Sequence, residues 1–214
     1  IEKLNEKIIK KEQIEAKDVF NIILTGIGKP SSINEFVAKL GDNLFKYNED
    51  MARYVLITLD SISHTREYKP DFWERNDKDK YVWTIEHVFP QKEDITDDWV
   101  KMVANGDKNK ASEVQERCVH CLGNLTLSGY NSKLSFKPFK EKQIKMEATS
   151  LGQKIFIGYK NGLAINKFEF TIAGKTTNLA DCELWNEETI MARNEAIVKE
   201  ICKLMAFEFE KETK

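Results

Sequence analysis

The stretch TIEHVFPQ, residues 84–91, constrains the fold more than any other part of this chain. It follows the run Tyr81-Val82-Trp83, and Pro90 stands three residues after His87. β-Branched and aromatic residues favour a short strand. Proline has no N–H to give to a ladder, so the strand stops near it. Successive side chains of a strand point to opposite faces. Glu86 and His87 can therefore share one site only if the strand bends or ends at the pair. The reading is that they lie at a strand end so that both side chains converge on one point.

Downstream, Leu122-Gly123-Asn124 leads into Leu125-Thr126-Leu127, a second short strand that ends at Gly129. Asn131 then opens the most basic segment, NSKLSFKPFKEKQIK, with lysines 133, 137, 140, 142 and 145 against one acid, Glu141. Strand, connection, strand and helical turn in this order form the layout of a ββα-metal finger. The residue types suit phosphodiester hydrolysis. A neutral imidazole can activate water at neutral pH, and a cation can neutralise charge on the phosphate and the departing oxygen. A carboxylate and an amide carbonyl are ligands for Mg²⁺ or Mn²⁺.

Each candidate also has a plain structural reading. Gly123-Asn124 is an ordinary turn signal, and Asn131 can cap the basic helix. The lysines can form a solvated helix face or contact backbone phosphates, which would give affinity without sequence choice. Cys118 and Cys121 lack a second pair at zinc spacing, since Cys182 and Cys202 lie far apart, so zinc is not expected and buried thiols are. His64, at a helix end, is expected to be structural. Trp83, Phe89, Phe136 and Phe139 are expected in the core, with Trp185 anchoring the last helix.

The organisation around this centre is α+β. Apolar residues at Ile33, Phe36, Val37, Leu40, Leu44 and Phe45 predict a helix over 33–45, with Ser32 as its N-cap. A second helix is predicted from Asn48 or Glu49 to Ser61, with Met51, Val55, Leu56 and Leu59 inward. Residues 65–80 form a charged loop, and 92–117 are predicted helical. IFIGY and FEFTI within 152–172 predict a β-hairpin. A long amphipathic helix is predicted over 186–209, burying Ile190, Ile197, Ile201, Leu204 and Met205. The domain division expected is 1–70 as a helical support or linker region and 71–214 as the chemical domain.

The 214 residues carry a net charge of −2, so no global basic field advertises a polyanion and any such contact is a local patch. Four cysteines are too few for a disulfide scaffold, which favours a reduced, cytoplasmic setting. The charged start, IEKLNEKIIKKEQIE, is no secretory signal, and no apolar run predicts a membrane span. The first residue is Ile, which suggests a piece of a longer protein.

The motifs TIEHVFPQ, CLGNLTLSGYNSKLSFKPFKEK and LWNEETIMARNEAI, together with ARYVLITLD upstream, carry a family resemblance. Over roughly Tyr81 to Phe207 the chain resembles the HNH nuclease domain at the C-terminal end of GmrSD-type, modification-dependent (type IV) restriction proteins. The resemblance implies a metal-dependent DNA endonuclease that cleaves or nicks foreign or phage DNA. His87 would be the general base, and Asn124 would hold its ring or shape the loop. Glu86 and Asn131 would bind one Mg²⁺ or Mn²⁺ ion. Lys133, Lys137, Lys140 and Lys142 would contact DNA. Many relatives have aspartate where Glu86 stands, and the longer arm leaves direct or water-mediated binding open. A recognition or nucleotide-binding domain, N-terminal or on another chain, would act with it. No Gly-x4-Gly-Lys-Ser/Thr loop occurs here. The competing reading is a non-catalytic DNA-binding or assembly module that keeps the fold.

Overall fold

The computed structural model describes residues 33–209, and Ser32 with the residues before it lies outside them. Contacts divide the chain into two units after Ala38. The first described helix is α1 (Ile33–Gly41). Among the described residues no helix is long and apolar enough to cross a membrane.

The helix predicted over 33–45 is broken. α1 stops at Gly41, and α2 (Leu44–Tyr47) restarts after Asp42-Asn43, where the Leu44 N–H bonds the Asp42 carbonyl at 2.7 Å. Gly, Asp and Asn are all poor helix interiors. Asn48 caps α3 (Glu49–Ser61) by accepting the Met51 N–H at 3.0 Å. α3 buries Val55, Leu56 and Leu59. It also buries Asp60, which accepts from the Ile165 N–H at 2.9 Å and pairs with His64 at 2.9 Å.

Strand β1 (Thr84–His87) pairs antiparallel with β2 (Leu125–Ser128), with Glu86 opposite Thr126 and His87 opposite Leu125. The connection carries α4 (Asp97–Ala104), α5 (Lys108–Cys118) and a 3₁₀ turn at Leu122–Asn124. After β2 come α6 (Asn131–Leu134) and α7 (Phe139–Ile144). Helix α9 (Glu187–Phe209) lies against the 3₁₀ turn. Its buried Arg193 donates to the carbonyls of Gly123 at 2.7 Å and Leu125 at 2.8 Å. Its Asn194 accepts the Gly123 N–H at 3.0 Å and donates to the Gly41 carbonyl at 2.8 Å. Trp99, Phe139 and Trp185 fill the core beside them. Ile190, Ile197 and Ile201 of α9 are buried, whereas Leu204, expected inside, is 42 % exposed.

The single hairpin predicted within 152–172 is replaced by two. β3 (Met146–Ala148) pairs with β4 (Lys154–Phe156), and β5 (Phe170–Ile172) pairs with β6 (Lys175–Thr177). The short helix α8 (Ala164–Lys167) separates them. The reason lies at Gly158 and Tyr159. Tyr159 turns into the core, and Gly158 passes so close to α7 that a Cβ would collide with the Lys142 carbonyl. The ladder therefore ends once the Ile157 N–H has bonded the Lys145 carbonyl at 2.9 Å, and Gly158 and Tyr159 leave it.

Gly123 meets a similar constraint, because a Cβ there would overlap the Ile190 carbonyl and the Asn194 backbone. Both obstacles are helix backbone and cannot rotate away. Gly123→Ala is expected to destabilise the fold by about 1–3 kcal/mol, the range for overpacking. Urea denaturation checks this, and an unchanged midpoint would contradict the packing described.

Candidate active site

Lys142 is 0 % exposed, and all three of its protons are used. Nζ donates to Glu86 Oε1 at 2.7 Å, to the His87 carbonyl at 3.0 Å and to the Val88 carbonyl at 3.0 Å. Tyr159 adds an O–H bond to the same Oε1 at 3.2 Å. Burial pushes the Glu86 carboxyl up and the Lys142 amine down, each opposed by attraction to the other. The expectation that Lys142 contacts DNA is therefore corrected: its ammonium is enclosed beneath β1. The spacing could not show this, because every lysine of a short basic helix looks alike until the helix is packed.

Glu86 and His87 do not converge. Glu86 turns toward α7 and Tyr159, whereas the His87 ring meets Phe45 and His120 on the other side. The strand stays regular through the pair, so its alternation persists. Both residues nonetheless line one open cleft of about 180 Å³, together with Asn131, Gln91, Lys92 and Phe136. Glu86 Oε2 has no hydrogen bond among the described residues.

His87 is 6 % exposed, and its Nε2 lies 3.2 Å from His120 Nδ1. Burial first, then the neighbouring His120 and Lys142 charges, pull its pKa down to about 3. The ring is thus neutral at physiological pH. Burial also lowers the pKa of His120, with Lys46 contributing. His120 is a site residue that the sequence reading passed over. The available signal was its place two residues before Leu-Gly-Asn in a chain with three histidines.

Asn124 is completely buried, and among the described residues no hydrogen bond joins its side chain to the His87 ring. Its Oδ1 accepts the Phe89 N–H at 2.8 Å and the Trp185 indole N–H at 3.0 Å. Its Nδ2 donates to the Phe89 and Val119 carbonyls, both at 2.9 Å. Its hydrogen bonds are those of a residue that shapes the loop after His87. Asn131 is half-buried, and Nδ2 donates to the Ile85 carbonyl at 2.8 Å. That bond orients the amide and leaves Oδ1 without a partner among the described residues.

The other lysines lie outside the cleft lining. Lys133 pairs with Glu147 at 2.7 Å and Lys137 with Glu141 at 3.0 Å, both at the surface. Lys140 donates to the Cys182 carbonyl at 3.0 Å. The cation that does line the cleft is Lys92, whose Nζ stands 5.1 Å over the ring of Phe136. Phe136, expected in the core, is 51 % exposed there. Cys118 and Cys121 are buried thiols, raised by burial to about 12 and about 11, that donate to the Val114 and Arg117 carbonyls.

Removing one member of a buried ion pair strands the other charge, at roughly 3–5 kcal/mol. Lys142→Met should therefore unfold the chain at much lower urea, whereas Glu86→Leu with Lys142→Met should recover much of the loss. Equal midpoints for wild type and Lys142→Met would contradict the pair.

No curated protein and no solved structure matches the chain at a significant level. The profile of the GmrSD restriction endonucleases, C-terminal domain, matches residues 31–200. That span takes in β1, the 3₁₀ turn, β2, α6, α7 and most of α9, the elements that build the cleft. On this match the chain belongs to the family of GmrSD restriction endonuclease C-terminal domains.

Proposed function

We propose that the cleft hydrolyses DNA phosphodiester bonds by HNH-type chemistry, with His87 as the general base. The observation that carries this reading is an imidazole kept neutral at a strand end, lining the same cleft as Asn131, whose amide oxygen has no partner among the described residues. A water bound beside the ring gives its proton to His87 Nδ1 as its oxygen attacks phosphorus. The 3′-oxygen departs on the opposite side and takes a proton from solvent. Lys92 would hold a phosphate at the rim, and Lys133 and Lys137 would exchange their surface carboxylates for phosphates farther along.

Asn131 Oδ1 and the unpartnered oxygen of Glu86 would hold a divalent cation. Two hard oxygen donors, with water and phosphate completing the shell, suit Mg²⁺ or Mn²⁺. When bound, the ion supplies charge neutralisation at the phosphate and the departing oxygen. Lys142 beside Glu86 opposes that second ligand, which places most of the protein's contribution on Asn131. Family membership supports the reading that the DNA cut is foreign or phage DNA and that a separate recognition domain acts with this one.

Supercoiled plasmid with Mn²⁺ tests the reading. His87→Ala should nick about 10²–10⁴-fold more slowly, the usual contribution of a general base. Asn131→Ala should raise the half-saturating Mn²⁺ concentration at least tenfold, a typical penalty at metal sites being about 10–100-fold. Equal nicking by wild type and His87→Ala would remove the base. DNA binding by both without cutting would favour the non-catalytic module.

The pH profile gives a second test. kcat/KM reports the free protein, in which His87 titrates near 3, so no acid limb should appear at the ordinary histidine value of 6.5. A bound phosphate favours the imidazolium, so the acid limb of kcat should lie at higher pH than that of kcat/KM. A kcat/KM that falls tenfold per unit below 6.5 would contradict the assignment.

A further inference from the structure

The His87 ring must present a lone pair at one nitrogen and hold a proton at the other. Nδ1 carries no hydrogen bond among the described residues. Among the described residues the buried side-chain polar atoms without partners are Thr96 Oγ1 and Arg193 Nε, and Nδ1 is not one of them; His87 itself lines the cleft. Nε2 faces His120 Nδ1 at 3.2 Å, with the ring planes 83° apart. Nδ1 can act as the base only if the proton sits on Nε2, and that proton needs an acceptor.

We infer that His120 is a positioning residue: its Nδ1 accepts the Nε2–H of His87 and locks the tautomer whose free lone pair is at Nδ1. This rests on the proposed role of His87 as base. Three features hold His120 in place. Its backbone lies in the turn after α5, closed by the Cys121 N–H on the Cys118 carbonyl at 3.2 Å. The Phe45 N–H donates to the His120 carbonyl at 3.2 Å. The Phe45 ring stacks on His120, with centroids 5.5 Å apart, and meets His87 edge-on at 4.7 Å. Phe45 thus packs against both rings and keeps each from rotating. When His87 takes the proton of water, both of its nitrogens carry hydrogen, and the Nε2–H···Nδ1 bond to neutral His120 becomes charge-assisted and stronger. A supporting partner on the far nitrogen of a functional histidine is how tautomer and ring orientation are commonly set.

Two substitutions separate the bond from the packing. His120→Phe keeps a ring against Phe45 and removes the acceptor. His120→Asn places an amide oxygen near the position of Nδ1 and keeps an acceptor. Single-turnover cleavage gives the rate and KM, and nitrogen NMR of the imidazoles reports the His87 tautomer. His120→Phe should lower the rate about 10–100-fold, the range for supporting partners of site histidines, with KM unchanged and with the His87 signals moving to a tautomer mixture. His120→Asn should keep most of the rate and the single tautomer. If His120→Phe retains both rate and tautomer while His87→Ala is inactive, the inference is overturned and the base assignment stands. If His87→Ala cuts at the wild-type rate, the base assignment fails and takes the inference with it.

Discussion

A single buried ammonium sets the geometry on which the cleft depends. Lys142 reaches from α7 under β1 and bonds three successive residues, through the carboxylate of Glu86 and the carbonyls of His87 and Val88. Two consecutive carbonyls turned to one donor cannot both continue a strand ladder, which accounts for β1 stopping at His87. Asn124 then takes the next residue, binding both the N–H and the carbonyl of Phe89. The backbone on the C-terminal side of His87 is therefore held by two buried side chains from different parts of the chain. A catalytic group on such a segment gains its precision from the scaffold rather than from contacts of its own.

The same pair sets the chemistry of Glu86. A carboxylate with one oxygen committed to an ammonium and a phenol is a weaker cation ligand than a free one. Surface ion pairs such as Lys133 with Glu147 are worth little and exchange readily. A buried pair is a fixed element of the fold. The cleft therefore combines one fixed amide oxygen, one partly committed carboxylate, a neutral imidazole and a rim lysine. That is a sparse centre, suited to a substrate that brings its own oxygens.

Much of this was legible in the sequence. β-Branched residues around Glu86-His87, the Gly-Asn turn and the following Leu-Thr-Leu identified both strands, and their order implied the finger. Asn131 and His87, expected at one site, line one cleft, because a short β-pair leaves the following helix little freedom of position. The failures have one physical origin, which is that spacing shows neighbours along the chain but not across it. The bonds from Lys142 to Glu86 and from His120 to His87 span 56 and 33 residues. Neither has a local signature. The misplaced hairpin has the same cause, since the collision that turns Gly158 away from its strand is with a helix backbone.

The central claim is that a phosphodiester sits in the cleft lined by His87 and Asn131. The most direct measurement is a crystal structure of the His87→Ala protein with duplex DNA and Mn²⁺, with the ion located by its anomalous signal. The account predicts the ion on Asn131 Oδ1, bridging to a phosphate that lies beside the space left by the imidazole. DNA bound elsewhere on the surface, with the cleft empty of both phosphate and metal, would contradict it.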